Sequence, residues 1–133
     1  MEKINIMITG VGGGGHGEQI LKALRLSKRP YYIIGGDMSP LSKGLIDVDE
    51  AYILPPAKDT SYIDVLIKLC RLRNVKALFH GSEPELIEMD KHRDRITAEG
   101  IFLPINPSDV ISICMDKYKT IDFLKNNGFD YPM

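Results

Sequence analysis

The chain has 133 residues, of which 44% are hydrophobic and 26% charged, a composition typical of one soluble globular domain. Its 17 basic and 18 acidic residues give a net charge of −1, which provides no basic field for holding the phosphates of nucleic acid. No apolar run approaches the roughly 20 residues of a membrane span. The first residues lead straight into a strand pattern, without a cleavable signal. We therefore expect a cytoplasmic protein that binds neither nucleic acid nor membrane.

Short strand patterns alternate with amphipathic helix patterns along the whole chain. Five strand patterns are found, at 4–8, 31–34, 51–54, 75–79 and 101–103. Helix patterns lie at 19–26, from about 60 to 70, from Ser82 onward, at 106–114 and at 116–127. This alternation predicts an α/β domain with a parallel sheet of about five strands and helices on both faces.

Local signals mark the ends of several of these elements. Gly35-Gly36 is expected to close the second strand. Ser82-Glu83-Pro84-Glu85 indicates a capping box with proline in the first turn. Asp116 is placed to cap the last helix, and Gly128 follows its end. The apolar stripes of the helices predict a further set of core side chains, which includes Cys70, Cys114, Ile121 and Leu124.

A glycine-rich loop follows the first strand in the stretch ITGVGGGGHGEQILKAL, residues 8–24. Gly10, Gly12 and Gly15 fit G-x-G-x-x-G, and Gly12, Gly14 and Gly17 fit it in a shifted register. Such a loop lets the backbone approach a ligand and aims amide N–H groups at it. Six glycines match this pattern almost by chance, so a tight turn without any ligand is the structural alternative.

A nicotinamide dinucleotide is one candidate ligand, because Asp37 lies about 20 residues beyond the loop, where a ribose-binding acid is expected. Three features count against it. Glu18 would compete for the positive end of the following helix. The chain has no Tyr-x-x-x-Lys pair and no second domain for a hydride acceptor. A P-loop is excluded because Glu18, and not lysine, follows Gly17. A stand-alone nucleotide- or NAD(P)-binding module remains the alternative function.

Polar residues follow the carboxyl ends of several strands, which meet at one edge of a parallel sheet. Asp37 follows the second strand, and His80-Gly81-Ser82-Glu83 follows the fourth. The Glu83 carboxylate suits an ammonium or hydroxyl group of a small substrate, and a solvated loop residue is the equal alternative. His80 is expected to be a satisfied strand-end histidine and His16 a surface residue. No nucleophile motif or metal-ligand spacing occurs, so we predict no catalytic or metal-binding residue here.

Taken together, five segments resemble the N-terminal domain of ATP-grasp enzymes, most closely the carbamoyl-phosphate-synthase-like ones. In chain order they are ITGVGGGGHGEQILKAL, GGDMSPLSKGL, AYILPPAKD, HGSEPEL and MDKYKTIDFLKNNGFDYP. The resemblance implies a three-layer, Rossmann-like "pre-ATP-grasp" domain over residues 1–115. It further implies that residues 116–133 form a helix and the start of a linker toward an ATP-grasp domain that this chain lacks. Such a domain helps to form the acceptor-substrate site and does not normally bind nicotinamide cofactors.

The resemblance also implies roles for individual residues. The substrate side would be formed by Gly12, Gly13, Gly14, Gly15, Asp37, Ser82 and Glu83. In the pair Asp116-Lys117, the lysine would contact a nucleotide phosphate, for which a compact cation on a flexible stem is suited. That role is carried to Lys117 alone, and not to Lys119 or Lys125.

The full-length enzyme would then use ATP and Mg²⁺ to phosphorylate a carboxylate or bicarbonate, and an amine or similar nucleophile would displace the phosphate. The partners implied are a small-molecule substrate and the C-terminal ATP-grasp domain, while a homo-oligomer is left open. Because one lysine cannot neutralise a transferring phosphoryl group, we expect the chain alone to be inactive and to hold no nucleotide tightly.

Overall fold

A four-stranded parallel sheet lies at the centre of the computed structural model, which describes residues 2–133. The strands are β1 (Ile4–Thr9), β2 (Tyr31–Asp37), β3 (Glu50–Ile53) and β4 (Ala77–Phe79), in the order β3-β2-β1-β4. In register, Ile6 of β1 pairs with Ile33 of β2 on one side and with Ala77 of β4 on the other. All three pairings are parallel, so each connection must cross over the sheet, and helices provide most of these crossovers.

Helices cover both faces of this sheet and make the domain a three-layer structure. They are α1 (His16–Arg25), α2 (Tyr62–Leu72), α3 (Glu83–Lys91), α4 (Arg93–Thr97), α5 (Ser108–Cys114) and α6 (Lys117–Asn126), with a 3₁₀ turn at Lys43–Ile46. Neighbouring side chains of β1 point to opposite faces. Ile8 packs with Leu21 of α1, whereas Met7 packs with Leu66 of α2. The predicted α/β class, with a parallel sheet and helices on both faces, is confirmed.

The predicted fifth strand at 101–103 is the main difference in the sheet. Phe102 makes only one parallel bridge, to Ala77, through the bonds Phe102 N–H to Lys76 O (2.8 Å) and Leu78 N–H to Phe102 O (3.0 Å). Pro104 follows at once and has no N–H to extend the ladder. The strand count is therefore four, one fewer than predicted.

The prediction that Gly35-Gly36 closes the second strand was wrong, because both glycines lie inside β2. A Cβ on Gly36 would overlap the side chain of Leu54, and one on Gly35 would lie 2.7 Å from a methyl group of Val48. These glycines therefore make room for side chains just before and just after β3, and they do not end the strand.

The last two helices are more exposed than the apolar pattern suggests. Cys70 is buried as predicted, but Cys114 is exposed. Ile121 and Leu124 are only half-buried, and α6 contains no fully buried residue. Its main packing partner is α5. Among residues 2–133, no helix is long and apolar enough to cross a membrane.

Candidate functional site

A groove of about 410 Å³, which we call the glycine groove, opens at the carboxyl ends of the strands. It is lined by the loop after β1 and by the start of α3. The end of β2 and the residues after β3 also line it. Its lining residues are Gly10, Gly12, Gly15, Asp37, Met38, Pro55, Ala57, Gly81, Ser82, Pro84 and Glu85. No lysine or arginine is among them, so the two carboxylates set the charge of this groove.

The glycine loop takes a backbone path that side chains would obstruct. Gly13 and Gly14 have φ of +78° and +72°, values that favour glycine. A Cβ on Gly17 would overlap the Gly10 carbonyl oxygen and lie 2.6 Å from that of Thr9. The first turn of α1 therefore packs directly against the end of β1, and the loop is bent tightly over the groove.

Carboxylates of the same chain already occupy two amide groups of this loop. Gly12 N–H donates to Asp37 Oδ2 (3.0 Å), and Gly14 N–H donates to Glu18 Oε2 (2.6 Å). Lys22 lies 2.9 Å from the other oxygen of Glu18. The hydrogen bond from Lys22 and then that from Gly14 hold the pKa of Glu18 below its ordinary value. As the sequence led us to expect, Glu18 takes a position that a dinucleotide pyrophosphate would need.

Asp37 lies in the glycine groove and joins two loops. Its Oδ2 accepts from Gly12 N–H, and its Oδ1 accepts from Ser39 N–H, each at 3.0 Å. The residue therefore connects the end of β2 to the glycine loop, and both of its oxygens have a protein partner. The structure brings Asp37 together with Gly12, Gly15 and Ser82, four of the residues predicted for the substrate side.

The start of α3 differs from the predicted capping box. Ser82 has the extended backbone of an N-cap residue but makes no side-chain cap hydrogen bond. The Glu85 carboxylate reaches past Ser82, and its Oε2 accepts from Gly81 N–H at 3.1 Å. Glu85 is 9% exposed and lines the glycine groove. Sequence reasoning gave Glu85 only a capping role. The signal that could have found it is its position in the first turn of a helix that begins at the ligand edge of the sheet.

Glu83 lies in an adjoining groove of about 310 Å³, lined also by Lys58, Lys91 and Met115. Pro84 belongs to the walls of both grooves. The two predicted regions, the glycine loop and the Glu83 turn, therefore line two grooves that adjoin at Pro84. Glu83 itself does not line the glycine groove.

Two histidines stack beside the glycine loop. The rings of His16, at the start of α1, and His80, after β4, have centroids 5.1 Å apart. His80 is half-buried, and its Nδ1 is buried without a hydrogen-bond partner, so it is not the satisfied histidine that we expected. Burial, followed by the nearby His16, lowers the pKa of His80. The neutral ring is therefore favoured at this position.

Lys117 is the first residue of α6 and is exposed. Asp116 caps this helix, as predicted: its Oδ1 accepts from Tyr118 N–H (2.9 Å) and Lys119 N–H (3.2 Å). Met115, two residues before Lys117, lines the adjoining groove with Glu83. In the part of the chain that the structure describes, no three potential metal ligands cluster.

Comparison with known proteins agrees with this architecture. The family model described as "PylC-like, N-terminal domain" matches residues 6–104, which include the whole glycine groove. No curated protein matches the chain significantly.

Solved ATP-grasp enzymes share the fold. An L-amino acid ligase from Bacillus licheniformis has a TM-score of 0.70 and 21% identity, over 100% of this chain and 32% of its own. N5-carboxyaminoimidazole synthetase from Staphylococcus aureus, complexed with ADP, has a TM-score of 0.65 and 16% identity, over 96% of this chain and 31% of its own. Pyruvate carboxylase from Rhizobium etli has a TM-score of 0.62 and 14% identity, over 98% of this chain and 13% of its own.

This chain thus spans about a third or less of each of these proteins. The predicted resemblance to the N-terminal domain of ATP-grasp enzymes is confirmed at the level of family and fold. With the family model matched across the sheet, the glycine loop and the start of α3, the chain belongs to the PylC-like N-terminal domain family.

Proposed function

We propose that this chain is the N-terminal, substrate-side domain of a larger ATP-dependent ligase of the ATP-grasp type. The observation that carries the proposal is the family match over residues 6–104. The fold neighbours support it, since each contains the whole of this fold as one part of a longer enzyme. Two of them are named as a ligase and a synthetase, and the synthetase was crystallised with ADP.

The proposed domain division is 1–115 for the substrate-side domain and 116–133 for a helix and linker. The exposed apolar side chains of the second part support this division. Tyr118 is 84% exposed, and Phe123, Phe129 and Tyr131 are exposed as well. Tyr118 and Phe123 lie on α6, which has no buried residue, and Phe129 and Tyr131 follow it. Exposed apolar side chains close together in this way are typical of a surface that another domain covers. We infer that an ATP-grasp domain covers α6.

In this proposal the two grooves hold a small-molecule substrate. Gly12, Gly15, Asp37 and Ser82 would contact it from the glycine groove. Gly13 and Gly14 would do so from the same loop, outside the groove lining, and Glu83 from the adjoining groove. Since no basic side chain lines the glycine groove, a neutral or cationic group fits there better than a second anion.

ATP and Mg²⁺ do not fit the glycine groove. The groove has no cation for phosphate, its loop amides bond to Glu18 and Asp37, and residues 2–133 hold no three-ligand metal cluster. We therefore assign both to the ATP-grasp domain, with Lys117 of this chain reaching the nucleotide phosphate. ATP would activate a substrate carboxylate by phosphorylation, and an amine would then displace the phosphate. The two unpaired cysteines fit a reducing compartment, and we place the enzyme in the cytoplasm.

Phosphate release tests this proposal. Residues 1–133 and the complete polypeptide in which they occur are each assayed with MgATP and a panel of amino acids, with EDTA as the metal control. We expect turnover that requires both metal and amino acid from the complete polypeptide only, because one lysine cannot neutralise the phosphoryl group. Metal-dependent turnover by residues 1–133 alone would contradict the assignment, as would the same substrate-independent rate in both proteins.

A further inference from the structure

Glu85 is an unusual carboxylate for a soluble domain, because it is nearly buried without a basic partner. It is 9% exposed at the glycine groove, and Gly81 N–H donates to its Oε2. Within residues 2–133, no lysine, arginine or histidine forms an ion pair with it. A buried carboxylate without a cation costs free energy unless a positive group arrives from outside.

Tyr62 supplies an independent observation beneath this carboxylate. The side chain is 1% exposed, and its hydroxyl is buried without a hydrogen-bond partner. Burial first, and then the charge of Glu85, raise the pKa of Tyr62 far above its ordinary value, so the hydroxyl remains a proton donor. Thr9 lies beside the same hydroxyl, but the Thr9 hydroxyl itself donates to Phe79 O (3.4 Å). Glu85 is therefore the charged group that acts on this buried hydroxyl, and no basic side chain of residues 2–133 offsets its effect.

Asp37, the second carboxylate of the groove, is not equivalent to Glu85. Both Asp37 oxygens accept from backbone N–H groups, whereas within residues 2–133 Glu85 accepts from Gly81 N–H alone. Gly10 lets the glycine loop pack closely against Glu85, since a Cβ there would lie 2.9 Å from Glu85 Oε2. The carboxylate of Glu85 thus has unused acceptor capacity and lines the glycine groove.

We propose that Glu85 is the specificity-determining carboxylate that receives a primary ammonium group of the substrate. This inference rests on the proposed function, because it names the chemical class of the group that the substrate-side domain selects. Apolar Met38, Pro55 and Ala57 provide a wall for the carbon chain of the same molecule.

Thermal shift of the complete polypeptide tests the assignment of Glu85. The probes are L-alanine and L-lysine, beside N-acetyl-L-alanine and Nα,Nε-diacetyl-L-lysine at the same concentration, so that neither acetylated probe retains a primary ammonium group. We expect the free amino acid to raise Tm and the N-acetylated one to have no effect. Glu85→Gln keeps an oxygen for Gly81 N–H but removes the charge, which should weaken amine binding about 10- to 100-fold. The control is Asp94→Asn, an exposed carboxylate of α4, which should bind like the wild type.

The inference about Glu85 fails if Glu85→Gln binds the free amino acids as the wild type does. It also fails if no free amino acid shifts Tm, or if the N-acetylated probes shift it equally. The proposed function is judged separately, by metal-dependent phosphate release from the same wild-type polypeptide. A ligase that is active but indifferent to Glu85→Gln would therefore refute the inference alone.

Discussion

The side chains around the glycine loop show how the protein's own carboxylates fix part of its backbone. Asp37 and Glu18 each bind one amide of the loop, and Lys22 neutralises Glu18. The usual role of such a loop is to present its N–H groups to a bound anion. In this domain those groups hold the loop in place, so the groove beside it is already formed.

The pH dependence of folding is a prediction at the residue scale. Because the folded state lowers the pKa of His80, the unfolded chain takes up the proton first as pH falls through the ordinary histidine value of about 6.5. Stability should therefore be full above that pH and decline below it. Thermal unfolding between pH 7.5 and 5.5 measures the decline, which His80→Gln should reduce and His92→Gln should leave in place. Equal slopes in wild type and His80→Gln would contradict this explanation.

The candidate site was only partly predictable, for reasons that lie in single residues. Gly12, Asp37 and Ser82 could be placed together because they follow strands that end at one edge. Glu83 and Glu85 are two residues apart in one helical turn, and their side chains enter different grooves. The direction of a side chain on a short turn depends on packing, here on Tyr62 and Gly81, which the local pattern does not reveal.

At the scale of elements, the N-termini of α3 and α6 differ in how their backbone N–H groups are satisfied. Asp116 caps α6 with its own side chain, whereas Ser82 makes no such bond at α3. The exposed N–H groups of a first turn need partners. At α3, Glu85 accepts from Gly81 N–H, one residue before the cap. Two helices with similar start signals are thus fixed by different means.

This difference predicts unequal effects of two matched substitutions. Asp116→Ala should lower the local stability of α6 by about 1 kcal/mol, because it removes two hydrogen bonds at the cap. Amide exchange within α6 should then accelerate about fivefold. Ser82→Ala should change the local stability of α3, measured by the same amide exchange, by less than about 0.5 kcal/mol. A larger loss at Ser82 than at Asp116 would show that these caps have been wrongly assigned.

Element prediction succeeded where the apolar period was long and failed where it was interrupted. The helix α2 was found because its apolar side chains recur at helical spacing. The central strand β1 was found because burial on both faces gives a nearly continuous apolar run. Residues 101–103 have a strand composition, but Pro104 prevents further pairing. In β2, glycines that indicate a turn by themselves serve side-chain packing against Leu54 and Val48. Pro104 thus limits the pairing of residues 101–103, and tertiary contacts explain the glycines of β2.

On the scale of the whole molecule, the fold was predictable because the alternation of strands and helices runs through the chain without a break. The activity was less accessible, since the chain spans a third or less of the enzymes that share its fold. A substrate-side domain can be identified by its groove, but the groups that move the phosphoryl group would lie elsewhere.

Lys117 provides a prediction at this scale. In the complete polypeptide, Lys117→Ala should raise KM for ATP about 3- to 10-fold, as expected for the loss of one charge-assisted contact to phosphate. Tm should not change, because the side chain is exposed. Lys125→Ala, an exposed lysine of the same helix, is the matched control and should leave KM for ATP unaltered. Identical ATP kinetics in the two variants would remove Lys117 from the nucleotide site.

The proline shared by the two grooves has a practical consequence for inhibitor chemistry. Among residues 2–133, Pro84 alone belongs to the walls of both, so a compound with two arms could pass it and occupy both grooves at once. Joining the arms replaces a second bimolecular encounter by an intramolecular one, which can strengthen binding by about 10²- to 10⁴-fold without any new contact. The tether between the arms would then have to cross Pro84.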